Sequence, residues 1–169
     1  MDRSLRHRSH HFSLRHRSHH FRFRSVWDLD APPAAVYRAL ERAADYPLWW
    51  PQVRRFESDG ADGRTGTAVI RSVLPYALRV TATELLRDPD RGVLEVALSG
   101  DLEGWARWTV RPRGSRTRAL YEQEAEVRRP LLRRLAVPGR PLFRLNHTLL
   151  MRAGRRALAA RLAARPEAV

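Results

Sequence analysis

From residue 21 the chain alternates between apolar and polar positions. Phe21, Phe23, Ser25, Trp27 and Leu29 are interleaved with Arg22, Arg24, Val26 and Asp28, the period of two expected of a half-buried strand. Asp30-Ala-Pro-Pro33 then predicts a helix start, with the aspartate as cap and the prolines in the first turn. Val36, Tyr37, Leu40 and Ala44 follow at helical spacing, until Tyr46-Pro-Leu-Trp-Trp-Pro51 breaks the helix and sets two adjacent tryptophans in a turn. Strand patterns recur at Val53–Ser58, Thr67–Leu74, Ala77–Leu86, Val93–Leu98, Leu102–Arg111 and Arg116–Val127. Between them lie Gly/Pro/Asp/Ser breaks at 60–63, 88–92, 99–100 and 112–115, short enough for an antiparallel meander. A final helix spans roughly Pro141–Ala164. This order predicts an α+β fold: a curved antiparallel sheet of about seven strands, two short helices after the first strand, and a long C-terminal helix gripped by the sheet. A cavity is expected between sheet and helix.

The same periodicities sort side chains by face. Ala119, Tyr121, Gln123, Ala125 and Val127 share the inner face of the last strand, opposite Glu122, Glu124 and Glu126. Ala106, Trp108 and Val110 point inward from the strand before, leaving Trp105, Arg107 and Thr109 outside. Arg71 is expected outside too, so no inward arginine is in view to polarise a substrate carbonyl. On the last helix, taking Leu142 as zero at ~100° per residue, Leu149, Ala153, Ala157 and Ala160 lie within ~60°, with Asn146 inside that apolar stripe. A buried amide there needs a partner, either a ligand carbonyl or hydroxyl, or the sheet or a water. Ala153 and Ala157 would leave room for a ligand, or else let helix and sheet approach closely. His147 falls at the edge of the stripe beside Gly154 and Met151, with no carboxylate near in sequence to orient it, a rim position rather than a catalytic one. Trp49, Trp50 and Tyr76 are aromatics that either border the cavity mouth or simply pack. Candidate ligand contacts are therefore Ala106, Trp108, Tyr121, Gln123, Asn146, His147, Leu150 and Met151; no catalytic residue is assigned.

Composition narrows the function classes. The 169 residues have room for one domain and a tail, and contain no cysteine, which excludes disulfides, thiolate metal sites and cysteine nucleophiles. The net charge of +14 is concentrated at the ends: +6 over residues 1–24, −2 over 25–127 and +10 over 128–169. Every basic residue is arginine, with abundant Ala, Gly and Pro beside it, as GC-rich coding would produce. Residues 1–20 read as a basic tail ahead of a domain at 21–165. Within that tail the nine-residue unit SLRHRSHHF occurs twice, at 4–12 and 13–21, and brings six of the seven histidines. Clustered imidazoles can bind metal, but neither carboxylate nor thiol completes a site, so no metal or cofactor is expected. The polar, charged composition is that of a disordered leader. No apolar run is long enough to span a membrane, and no secretory h-region is present.

Four segments give the chain a family likeness: DAPPAAVYRALERAADYPLWWPQV (30–53), SVLPYALRVTATE (72–84), GDLEGWARWTV (100–110) and RPLFRLNHTLLMRAGRRAL (140–158). Over about Phe21 to Leu162 the chain resembles the SRPBCC superfamily (START-like, helix-grip), in the branch called polyketide cyclase/dehydrase. That resemblance implies a deep hydrophobic cavity for a lipid, polyketide, sterol-like or other apolar molecule. Relatives include cyclases and aromatases as well as plain carriers, so fold alone does not carry activity over.

The reading that results is a cytoplasmic protein binding an apolar small-molecule ligand in an internal cavity. One alternative is an aromatase/cyclase that folds a poly-β-ketone, with Tyr121, Asn146 or His147 assisting enolisation. Another uses the arginine-rich ends on nucleic acid or a membrane surface. Stacking aromatics and a recognition helix are missing, so specific nucleic-acid binding is not expected. Arg144, Arg152, Arg155 and Arg156 on the outer face of the last helix suit contact with anionic lipid headgroups.

Overall fold

The computed structural model describes residues 20–59, 63–71, 77–128 and 140–164. Seven strands form one antiparallel sheet: β1 (His20–Leu29), β2 (Val53–Asp59), β3 (Thr65–Arg71), β4 (Ala77–Asp88), β5 (Val93–Gly100), β6 (Leu102–Arg113) and β7 (Arg116–Val127). Their order is β1-β7-β6-β5-β4-β3-β2, so β2 to β7 form a continuous meander and β1 closes onto the last strand. In that closure Phe23 faces Gln123 and Leu29 faces Thr117. Helices α1 (Pro33–Glu41) and α2 (Tyr46–Trp49) sit between β1 and β2, joined by a 3₁₀ turn at Ala43–Asp45, and α3 (Arg140–Ala163) lies across the inner face. This is the helix-grip fold expected from the sequence. Tyr76 falls outside the described residues, as does the N-terminal repeat up to His19.

Alternation along the strands decides the core. Trp27 and Leu29 from β1, Trp108 and Val110 from β6, and Ala119 from β7 are buried together with Val36, Tyr37 and Leu40 of α1. Trp27 packs edge-on against Trp108 (4.7 Å between ring centroids) and Trp50 (5.4 Å), so aromatic geometry adds to area burial at the centre. A second cluster of Phe21 and Val127 packs with Phe23, Leu78, Leu102 and Phe143. The outer sheet surface is laced by ion pairs between neighbouring strands, such as Arg107–Glu95 at 2.6 Å and Arg118–Asp28 at 2.8 Å.

Two local expectations are corrected. Asp30 does not cap α1: Pro32 holds the cap position without a side-chain hydrogen bond, and Asp30 pairs with Arg116 at 2.6 Å. The helix starts because Pro33 supplies a preset φ at its first turn. On α3 the buried face is centred on Met151, Gly154 and Leu158, roughly 150° round from Leu142. Leu142 and Leu149 are instead exposed (41% and 39%), as is Ala160. The cause lies in the partner surface. Trp50 presses its indole against α3 at Gly154, where a Cβ would lie 2.4 Å from its Cε2, and donates its Nε1 hydrogen to the Leu150 carbonyl at 3.1 Å. Only a residue without a side chain can face that ring, and this contact fixes the rotation of the helix.

Candidate functional site

A cavity of about 310 Å³ lies between the sheet and α3. All eight side chains singled out in the sequence line it: Ala106 and Trp108 from β6, Tyr121 and Gln123 from β7, and Asn146, His147, Leu150 and Met151 from α3. Strand period 2 brings the first four to one face, and α3 lays the others over them. Phe21, Phe23, Val80, Leu94, Leu102, Val127 and Phe143 add apolar wall. The volume is at the lower end of the range typical of small-molecule sites, and the lining is of the same kind: mostly apolar, with a few convergent polar groups.

Those polar groups come from β7 and α3. The Tyr121 hydroxyl donates to Gln123 Oε1 at 2.8 Å. Burial pushes the Tyr121 phenol well above its ordinary value, so it stays protonated and remains a donor across the working pH range. With its Oε1 occupied, Gln123 is left with its amide hydrogens to offer a ligand. His147 is half-buried, in the wall that separates the cavity from an open groove beside β1. Its ring is stacked on Phe23 at 4.0 Å and lies 5.9 Å from Tyr121, and burial lowers its pKa to about 4. The imidazole is therefore neutral at physiological pH. Its Nε2 is buried and has no hydrogen-bond partner among the described residues.

Ala153 does not line the cavity, and Ala157 packs on the core, so neither clears space for a ligand. Trp50 is part of the wall, and Trp49 stacks beside it at 5.4 Å in the core. Sequence reasoning missed a charged rim. Glu41 of α1, Glu84 and Arg87 of β4, and Arg64 line the same cavity, with Arg87 bonded to Glu84 (2.7 Å) and Glu41 (3.4 Å), and Arg64 to Glu84 (3.7 Å). Period 2 does put Glu84 on the inner face with Leu78, Val80 and Ala82; Arg87 lies beyond the register shift between Glu84 and Leu86, and Arg64 lies outside the strands, so alternation says nothing of those two. Arg71 is exposed, as expected. Among the described residues no group of three or more His, Cys, Asp or Glu is placed to hold a metal ion.

The family model described as "polyketide cyclase / dehydrase and lipid transport" matches residues 20–167. The chain belongs to that family. No curated protein matches this family member, but solved structures share its fold. An aromatase/cyclase from a Streptomyces species superposes with a TM-score of 0.73 at 15% identity, covering 89% of this chain and 98% of the other. A Thermus thermophilus protein gives 0.74 at 19% identity, covering 86% and 99%. A START superfamily protein from Mycobacterium smegmatis gives 0.68 at 17%, covering 86% and 99%. At these identities the likeness is one of fold alone, and the fold is the helix-grip arrangement expected from the sequence of this polyketide cyclase/dehydrase and lipid transport family member.

Proposed function

We propose that the protein binds an apolar small molecule bearing a hydroxyl or carbonyl group in the cavity between the sheet and α3. The observation that carries this is an apolar hollow into which the Tyr121–Gln123 pair, Asn146 and His147 bring a few polar groups. Ala106, Trp108, Leu150 and Met151 would contact the apolar body of the ligand, and Gln123, Asn146, His147 and Tyr121 its polar end. A cytoplasmic setting is part of this reading; among the described residues no helix is long and apolar enough to cross a membrane.

The test is titration with an apolar fluorescent probe. Saturable one-to-one binding is expected, and Ala106→Phe should abolish it with little loss of stability, because the new ring enters existing space. In a filled core the same substitution would overpack and cost about 1–3 kcal/mol. Failure of the wild type to bind, or undiminished binding by the variant, would rule out this cavity as the site.

The second reading is an aromatase/cyclase, favoured by the neutral imidazole at the cavity wall. It demands more of these residues. An imidazole with a pKa of about 4 is a weak base, and a phenol pushed far up is a weak acid, whereas acid–base chemistry prefers groups tuned towards the working pH. Turnover of a poly-β-ketone thioester that disappears in Asn146→Ala would establish it over passive binding.

A further inference from the structure

Outside the cavity, β1 and α3 enclose a groove open to solvent. Arg22, Arg24, Arg144, Arg152, Arg155 and Arg156 line it, and no carboxylate does. Elsewhere on the sheet arginines are matched by acids, as in Arg107–Glu95, Arg118–Asp28 and Arg128–Glu103. In the groove only Arg22 is so matched, by Glu124. The other five make no ion pair among the described residues. Arg22 and Arg24 stand opposite Glu124 and Glu122 on β7, but the four arginines of α3 share a helix that carries no acid, and an excess of positive charge of this kind suits an anionic partner.

The outer face of α3 says which partner. Leu142, Leu145 and Leu149 are 41%, 51% and 39% exposed, and Arg152 and Arg156 continue the same stripe at alternating spacings of three and four. On the wheel the five lie within ~80° of Leu142. A leucine stripe alone would suit a second copy of this helix. Two arginines in the same seam oppose that, since the stripe carries no carboxylate to answer them across a symmetric contact. A free phosphate would use the arginines but gain nothing from three exposed leucines. A nucleic-acid backbone would leave them equally unused. A lipid surface uses both, with leucines sinking among acyl chains and guanidinium groups meeting the headgroups.

We propose that the outer face of α3, with the arginine groove beside it, docks on bilayers containing anionic lipid. The opposite face of the same helix carries Asn146, His147, Leu150 and Met151 into the cavity. Docking would thus set one side of the cavity wall against the membrane. The proposal stands apart from what fills the cavity.

The experiment is flotation of the full chain with phosphatidylcholine vesicles, with and without phosphatidylglycerol. Binding is expected only to the phosphatidylglycerol vesicles, and it should weaken as salt is raised. Arg152→Gln/Arg155→Gln/Arg156→Gln should reduce affinity by roughly 100-fold, at about one tenfold-or-less step per surface charge. Leu145→Ser/Leu149→Ser should reduce it by at least roughly 10-fold. Neither variant touches the cavity wall, so melting and apolar-probe binding serve as folding controls and should be unchanged. Equal binding to neutral vesicles, or full binding by the arginine variant, would overturn the proposal; in the latter case arginines elsewhere, including those before β1, would be responsible. Indifference to the leucine substitutions, with displacement from vesicles by inorganic phosphate or duplex DNA, would also overturn it in favour of a soluble anion or nucleic acid.

Discussion

Gly154→Ala separates helix propensity from packing, because the two predict opposite signs. In a solvent-facing helix interior, replacing glycine by alanine stabilises by about 1 kcal/mol. At residue 154 the added methyl would lie 2.4 Å from Trp50 Cε2, 2.7 Å from Cζ2 and 2.8 Å from Nε1. Trp50 has little freedom to retreat. It is buried, it touches Trp27, Tyr46 and Trp49, and its indole nitrogen is bonded to the Leu150 carbonyl. Overpacking costs about 1–3 kcal/mol and the strained hydrogen bond about 1 more, so after the propensity gain about 1–3 kcal/mol of net destabilisation remains. For a domain of this size that lowers the melting temperature by roughly 3–10 °C. Thermal and urea unfolding followed by circular dichroism would measure it. Exposed Ala160→Gly on the same helix is the reference, with an expected cost of about 1 kcal/mol from propensity alone. A Gly154→Ala protein that melts at or above the wild type would refute the claim that Trp50 sets the rotation of α3.

His147 has a folded pKa of about 4 against 6.5 when unfolded. Because the folded value is depressed for a base, its neutral form is the stable one. Stability is complete above pH 6.5 and falls as the pH drops towards 4, by on the order of 3 kcal/mol in all. Denaturation curves across that window should show the slope, and His147→Phe should remove this part of it while keeping the stack on Phe23. At the rim, Arg87→Ala breaks the links to Glu84 and Glu41, and because the site is exposed it should cost no more than about 1 kcal/mol. Stopped-flow should show apolar-probe association and dissociation both faster, with little change in Kd.

The strands were legible because each has one wet and one dry face. Ala106, Trp108, Tyr121 and Gln123 lie where period 2 puts them, and those four are half of the eight candidate contacts. The rotation of α3 was not legible. Leu142 and Leu149, with Ala153, Ala157 and Ala160, make an apolar stripe as plausible as the real one. What chooses between them is the shape of Trp50, a hundred residues away in the chain. Gly154 was the available signal, since a glycine in the middle of a helix carries a propensity cost that close packing offsets. Likewise the burial of His147 follows from that rotation and from Phe23, and neighbouring residues in sequence do not reveal it.

The pairing of β1 with β7 has a consequence for how the chain acquires its structure. From β2 to β7 each strand pairs with the next in sequence, so each hairpin closes a short loop. Strand β1 must wait: Leu29 meets Thr117 only after the whole meander has been made. Loop-closure entropy grows slowly with length, but it must be met before the long-range contact returns anything. On a ribosome, Phe21, Phe23 and Trp27 therefore emerge first and find their places among the last. Until β7 and α3 arrive, those aromatics are an unpaired, sticky strand, which makes the N-terminal strand the segment most exposed to mispairing between nascent chains.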